Sequence, residues 1–198
     1  SVEHGESRLL GFDTETTSPV RGGVFQTDEA RIVGYSVSSV PFSATYIPDP
    51  TAHALSNTLN RPGVVPICHN AKFEWKILSK LGVELKDFED TKLMAYILGE
   101  HSTGLKDLAR QYLGVVPRTY GEVTKGRDMS DIPPEEMYEY ACADADNTRR
   151  LYHVLLPRLQ REGLKEVYRN IELPLVPVLA RMEGLGVGLE VERCGTTA

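Results

Sequence analysis

The sequence is poor in the features that mark several large classes of protein. Its three cysteines, Cys68, Cys142 and Cys194, include no CxxC pair, and an odd number argues against a disulfide framework. A reducing, intracellular compartment is the expectation. No apolar run reaches the ~20 residues of a membrane-spanning helix, and residues 1–8 lack the apolar stretch of a secretory signal. Positive charge is scarce: 22 Lys and Arg stand against 28 Asp and Glu, a formal net charge of -6. That balance argues against a protein that coats nucleic acid by bulk charge alone. P-loop, HExxH and nucleophile-elbow motifs are all missing. Gly184-Leu185-Gly186-Val187-Gly188 has the glycines of a dinucleotide loop, but it follows a helical pattern with too little chain left for a βαβ unit, so it reads as a turn.

What remains is ordinary globular composition, 41% hydrophobic and 25% charged over 198 residues, enough for one sizeable core. The first hundred residues read as strands interleaved with short helices. Residues 8–13 form a buried strand, 32–40 and 44–47 a hairpin turning at Pro41-Phe42-Ser43, and 64–68 a further apolar strand. Residues 51–59 and 73–81 carry helical spacing. After residue 90 the period changes, and helices are predicted over 91–98, 105–113, 134–159 and 164–182, with Pro134 at a helix start. Residues 114–131, with mixed charge, Gly and Pro117, read as a long surface loop. Strands first and helices after predict a layered α/β or α+β domain.

The residues that can carry chemistry sit where elements end. Asp13 and Glu15 are two apart at the end of the first strand, so both side chains point to one face, with Thr14 opposite. Two carboxylates so placed repel unless a cation lies between them, and all-oxygen ligands favour Mg²⁺ or Mn²⁺. A solvated acidic turn is the bland alternative. At Cys68–Glu74 a buried strand runs into a helix, with Asn70 as a candidate cap and Glu74 in the first turn. Tyr140 and Asp144 are four apart on a helix and share a face, while Asp146 turns away toward solvent or a neighbouring helix. Arg149, Arg150, Arg158, Arg161, Lys165 and Arg169 form a basic set that reads as a solvated helical face or as a path for a strand.

Taken in order, FDTET (Phe12–Thr16), HNAKFE (His69–Glu74) and YACAD (Tyr140–Asp144) resemble the three motifs of the four-acidic-residue 3′–5′ exonuclease superfamily. The sequence is most similar to its tyrosine-containing branch, and within that to the proofreading domain of family A, polymerase I-like DNA polymerases. The histidine branch carries its base five residues before the last Asp, where this chain has Glu139; Tyr140 lies four before. Phe88–Thr91 and Leu105–Ala109 also fit the family, and the resemblance spans roughly residues 8–190. It divides the chain into an exonuclease domain at 1–170 and, at 171–198, a helix and tail similar to the passage into a polymerase region that the chain does not contain.

The resemblance implies a ribonuclease H-like α/β fold, a mixed central sheet flanked by helices, and two-metal 3′–5′ hydrolysis of DNA that releases nucleoside 5′-monophosphates. It implies catalytic roles for Asp13, Glu15, Glu74, Tyr140 and Asp144, the four carboxylates holding two divalent ions, Mg²⁺ or Mn²⁺. Thr16, Asn70 and Phe73 are the implied substrate contacts, and Pro19 stands where the family has an apolar wedge between bases. Glu74 departs from the Asp usual in the family. The implied partners are a single-stranded or frayed DNA 3′ end and a family A polymerase region, in the bacterial cytoplasm or that of a host if phage-encoded. Two rivals stay open: an RNA 3′ exonuclease of the ribonuclease D kind, and a degenerate exonuclease module kept as a structural spacer.

Overall fold

The computed structural model describes residues 8–21, 24–186 and 188. Of the expected helix and tail at 171–198, residues 187 and 189–198 lie outside them. Strand β1 (Arg8–Thr16) is central to a five-stranded mixed sheet. It pairs antiparallel with β4 (Ile32–Val40), which pairs antiparallel with β5 (Ser43–Pro48). On its other side it runs parallel to β6 (Val64–Cys68), and β6 runs parallel to β7 (Glu89–Asp90). Between β1 and β4, two-residue strands β2 (Val20–Arg21) and β3 (Val24–Phe25) form a small hairpin that the sequence reading passes over. The three parallel strands point their C-terminal ends the same way, which is where open α/β sheets gather their sites.

Alternation along β1 sorts the two faces. Phe12 joins Tyr35, Leu55, Leu59 and Leu78 in a core formed with α1 (Ala52–Leu59) and α2 (Ala71–Ser79). The other face meets α3 (Thr91–Ile97), α4 (Leu105–Leu108) and the long α6 (Pro134–Arg161), through Ile67, Met94, Leu108, Leu151 and Leu155. Gly11 is on that second face, and a Cβ built there would lie 2.2 Å from the Ala145 carbonyl oxygen. The missing side chain is what lets the α6 backbone lie directly on β1.

Three predicted elements take a different form. The predicted helix over 105–113 is a single turn, α4, that opens into a π-turn at Ala109–Leu113. The one predicted over 164–182 is α7 (Lys165–Val167), a π-turn at Tyr168–Glu172, and α8 (Leu173–Leu185). Pro174 explains the interruption, since it has no N–H to donate and its ring crowds the carbonyl four residues back. The widened turn also sends Tyr168 fully inward, where its hydroxyl donates to Glu89 Oε2 at 2.7 Å. Segment 114–131 is not a loop lying on the surface. It holds α5 (Tyr120–Thr124), closed by a Thr119–Glu122 capping box, and a 3₁₀ turn at Met129–Asp131. Val123, Thr124 and Met129 are buried, and Val123 and Met129 pack against the start of α6.

Candidate active site

The C-terminal end of β1 supplies the first two carboxylates. Asp13 and Glu15 share the α6 face of the sheet, and the approach allowed by Gly11 brings Asp144 against them. One carboxylate oxygen from each of the three lies within 4.8 Å of the others. Glu15 and Asp144 are only 5% and 4% exposed. Unit charges at that separation repel by roughly 3.5 kcal/mol per pair at an effective dielectric of about 20. Burial, then the neighbouring carboxylates, push Asp13 well above the usual range, and the same two causes carry Glu15 up to about 8. Burial also raises Asp144, against the opposing pull of Lys106.

Glu74 approaches from the other face. Thr14, pointing opposite to Asp13 and Glu15, donates its hydroxyl to Glu74 Oε2 at 2.8 Å. Glu74 is 3% exposed, and burial lifts its carboxyl to about 8 despite that bond. It is not one of the three carboxylates whose oxygens converge.

The helix that carries Glu74 is positioned by a residue distant from it in the sequence. Asn70 sits at the start of α2 in the left-handed region, φ 89°, and its side chain makes no capping bond. The cap comes from Asp90 instead, whose carboxylate accepts from Asn70 N at 3.2 Å and Ala71 N at 2.7 Å. The same carboxylate caps α3 through Lys92 N and Leu93 N, at 2.8 and 3.2 Å. Pairing β6 with β7 puts this carboxylate beside a helix start that lies twenty residues earlier in the chain.

Tyr140 is buried one turn before Asp144 on α6, its hydroxyl facing that carboxylate. Burial and the surrounding carboxylates push its phenol far above the ordinary value, so it stays protonated. Lys106, at the first turn of α4, has its Nζ on Asp144 Oδ1 and 4.1 Å from the centre of the Tyr140 ring. In the sequence, membership of the Leu105–Ala109 stretch is the only signal that Lys106 carries.

Asp13, Thr14, Glu15, Tyr140 and Asp144 floor a cleft of about 500 Å³, walled by Thr16, Ser18, Phe25, Phe73, Tyr120 and Met129. Two of the expected substrate contacts, Thr16 and Phe73, line this cleft. Asn70 lines a different pocket, with Lys92, Tyr96 and Leu179. Phe25, on the small hairpin, meets Phe73 with ring centres 5.9 Å apart. The segment expected to be a surface loop closes the third side: Tyr120 OH and Ser18 Oγ are 2.6 Å apart, and Ser18 N donates to Asp128 Oδ2 at 2.8 Å.

Other expectations need correction. Asp146 faces neither solvent nor a helix; it is buried, accepting from Phe42 N at 2.7 Å in the β4–β5 turn and pairing with Arg150. The basic set is not one free face either. Arg158 holds Glu100 at 2.6 Å and Arg169 holds Glu89 at 2.5 Å, so these charges tie α6 and the segment after it to the rest of the domain.

The donor set fits a divalent cation. It is all oxygen, its negative charge exceeds what Lys106 balances, and Glu15 Oε1 is buried with no hydrogen-bond partner. The arrangement suits hydrolysis at phosphorus.

A family profile described as 3′–5′ exonuclease matches residues 2–160. DNA polymerase I of Rhizobium leguminosarum is 32% identical over 221 residues, covering 92% of this chain and 21% of that protein. DNA polymerase I of Treponema pallidum (strain Nichols) is 35% identical over 162 residues, 74% of this chain and 16% of that protein. The chain thus spans about a fifth of the length of such relatives. Brucella melitensis NrnC with bound Mg²⁺ superposes with a TM-score of 0.74 at 20% identity, covering 93% of this chain and 89% of that one. The fold is ribonuclease H-like. The chain belongs to the 3′–5′ exonuclease domain family of the polymerase I-like, family A DNA polymerases.

Proposed function

We propose that this domain is a two-metal 3′–5′ exodeoxyribonuclease that removes nucleoside 5′-monophosphates one at a time, proofreading for a family A polymerase region. The observation that carries the reading is the convergence of Asp13, Glu15 and Asp144 around an unpartnered Glu15 oxygen, with the Tyr140 hydroxyl alongside. Sequence similarity to DNA polymerases over most of the chain supports DNA over RNA as substrate.

Asp13, Glu15 and Asp144 would hold one ion, and Asp13 with Glu74 a second. Bound there, the ions neutralise charge and act as Lewis acids for in-line displacement at phosphorus. The chain's own groups do the positioning. Tyr140 remains a phenol and so serves as a hydrogen-bond donor that orients the attacking water, rather than as a base. Glu15, opposite it, accepts from that water. Phe73 and Phe25 offer ring faces to the terminal bases, whatever their identity. Lys106 holds Asp144 in its rotamer through the ion pair and covers the Tyr140 ring. Residues 8–170 contain every one of these groups, which supports reading 1–170 as the exonuclease domain.

The test uses 5′-labelled DNA and RNA oligonucleotides at low salt with Mg²⁺, Mn²⁺ or EDTA, and Asp13→Ala alongside. A metal-dependent ladder receding from the 3′ end of DNA, absent in the variant, is expected. Faster trimming of RNA would replace DNA as the substrate, and a folded protein silent with both metals would remove the enzymatic reading.

A further inference from the structure

The carboxylate cleft is not the largest cavity among the described residues. A larger one, about 1130 Å³, opens at the other end of β1, between α1 and α6. Arg8, Arg61 and Arg149 line it together with Ser39, Asn57 and Thr58, and no Asp or Glu is among its lining residues. In a chain of net charge -6, three cations without a carboxylate in one pocket are a marked departure from the average surface.

Arg149 makes the pocket more than a basic patch. Arg150, Arg158 and Arg169 are all spent on ion pairs with Asp146, Glu100 and Glu89. Arg149 leaves α6 one turn after Ala145, beneath Gly11, where a built Cβ would lie 2.8 Å from its own Cβ. Its Nε and Nη1 are buried and have no hydrogen-bond partner. Buried donors of a permanent cation are costly to leave unmet, and a planar guanidinium fork matches a tetrahedral oxyanion through two parallel bonds. The hydroxyls of Ser39 on β4 and Ser56 on α1 add neutral groups to the same lining.

We propose that this pocket is a second anion site, which takes phosphate groups of a nucleotide or of a nucleic-acid backbone with the half-buried Arg149 as its anchor. Arg8 is five residues before Asp13 on one strand, a separation of about 17 Å, so the site is distinct from the cleft where hydrolysis is proposed. It does not depend on that hydrolysis.

Calorimetric titration of the full chain in EDTA excludes metal-assisted binding at the carboxylate cleft, and the arginine variants assign what remains to this pocket. The probes are inorganic phosphate, deoxyadenosine 5′-monophosphate and a short thymidine oligonucleotide. Arg149→Met keeps the aliphatic stem and removes the charge; Arg8→Gln with Arg61→Gln alters only exposed side chains and serves where Arg149→Met fails to fold. Wild type should bind at least one probe, and each variant should lose roughly tenfold or more. Equal binding of monophosphate and oligonucleotide assigns the site to a nucleotide. Tighter binding of the oligonucleotide, with a salt dependence that weakens by about two in log–log slope when all three arginines are replaced, assigns it to a strand backbone. No binding by wild type, or unchanged binding in both variants, overturns the proposal.

Discussion

Glu74 has one methylene more than the aspartate usual at its position, and the structure shows where that length goes: across the end of β1 to the hydroxyl of Thr14, at 2.8 Å. Glu74→Asp should break that contact and change the concentration of Mn²⁺ needed for half-maximal activity by several-fold. A geometric tolerance of about 0.5 Å at such sites sets that scale. A titration of activity against Mn²⁺ checks it, and an unchanged midpoint would show that the extra length is without consequence. Phe25 makes a second prediction of the same size. Its ring extends the Phe73 surface, and base stacking on an aromatic is worth about 1–3 kcal/mol. Phe25→Ala should therefore raise KM for single strands roughly tenfold or more and leave kcat nearly constant; a fall in kcat alone would place the ring elsewhere in the reaction. The shared faces of Asp13 with Glu15 and of Tyr140 with Asp144 were legible in the sequence because two-residue and four-residue spacings fix them within one element, while their roles came only from the family resemblance. Lys106 and Phe25 were not, since each comes from an element whose place is set only by tertiary packing.

Between elements, the decisive contact is α6 lying on β1. Gly11→Ala would set a methyl 2.2 Å from the Ala145 carbonyl, and the helix carrying Asp144 must retreat. Overpacking of this kind costs roughly 1–3 kcal/mol in stability. Activity should fall further than stability does, by one to two orders of magnitude, because the carboxylate separation widens with the helix. Urea denaturation beside kcat checks both, and a variant that is destabilised yet fully active would separate this contact from the site. Most strands and helices were readable from periodicity, but their interruptions were not. The π-turn at Tyr168–Glu172 follows from Pro174 and the pull of a buried Glu89, and α5 is held by Val123 packing against α6. Likewise Asn70 is the natural local cap by residue type, and only the β6–β7 pairing reveals Asp90 in that role.

For the molecule as a whole, the buried carboxylates make stability depend on pH in a definite sense. Glu15 and Glu74 titrate near 8 when folded and near 4.5 when unfolded, so the folded chain retains protons that the unfolded chain has lost. Their contribution is complete below about 4.5 and is withdrawn as pH rises toward 8, at up to about 1.4 kcal/mol per pH unit for each proton retained. His69 acts in the opposite sense: burial holds it near 4, so it adds stability as pH climbs to 6.5 and nothing above. Between pH 6.5 and 8 the carboxylates act alone, and Tm in EDTA should fall across that window. Mn²⁺ should raise Tm more at pH 8 than at pH 6.5, since fewer protons must leave; an equal rise at both would mean the ion does not displace them. That neutral His69 also joins two sides of the cleft. Its Nε2 donates to the Thr103 carbonyl at 2.9 Å, just ahead of α4 and Lys106, and its Nδ1 lies 2.8 Å from Thr91 Oγ1, next to the Asp90 that caps the Glu74 helix. Glu74 and Lys106 are thereby braced by one uncharged strut. The frame is set when the chain folds, and a solution turning from pH 8 to pH 6 changes the charge of what it holds while leaving the frame alone.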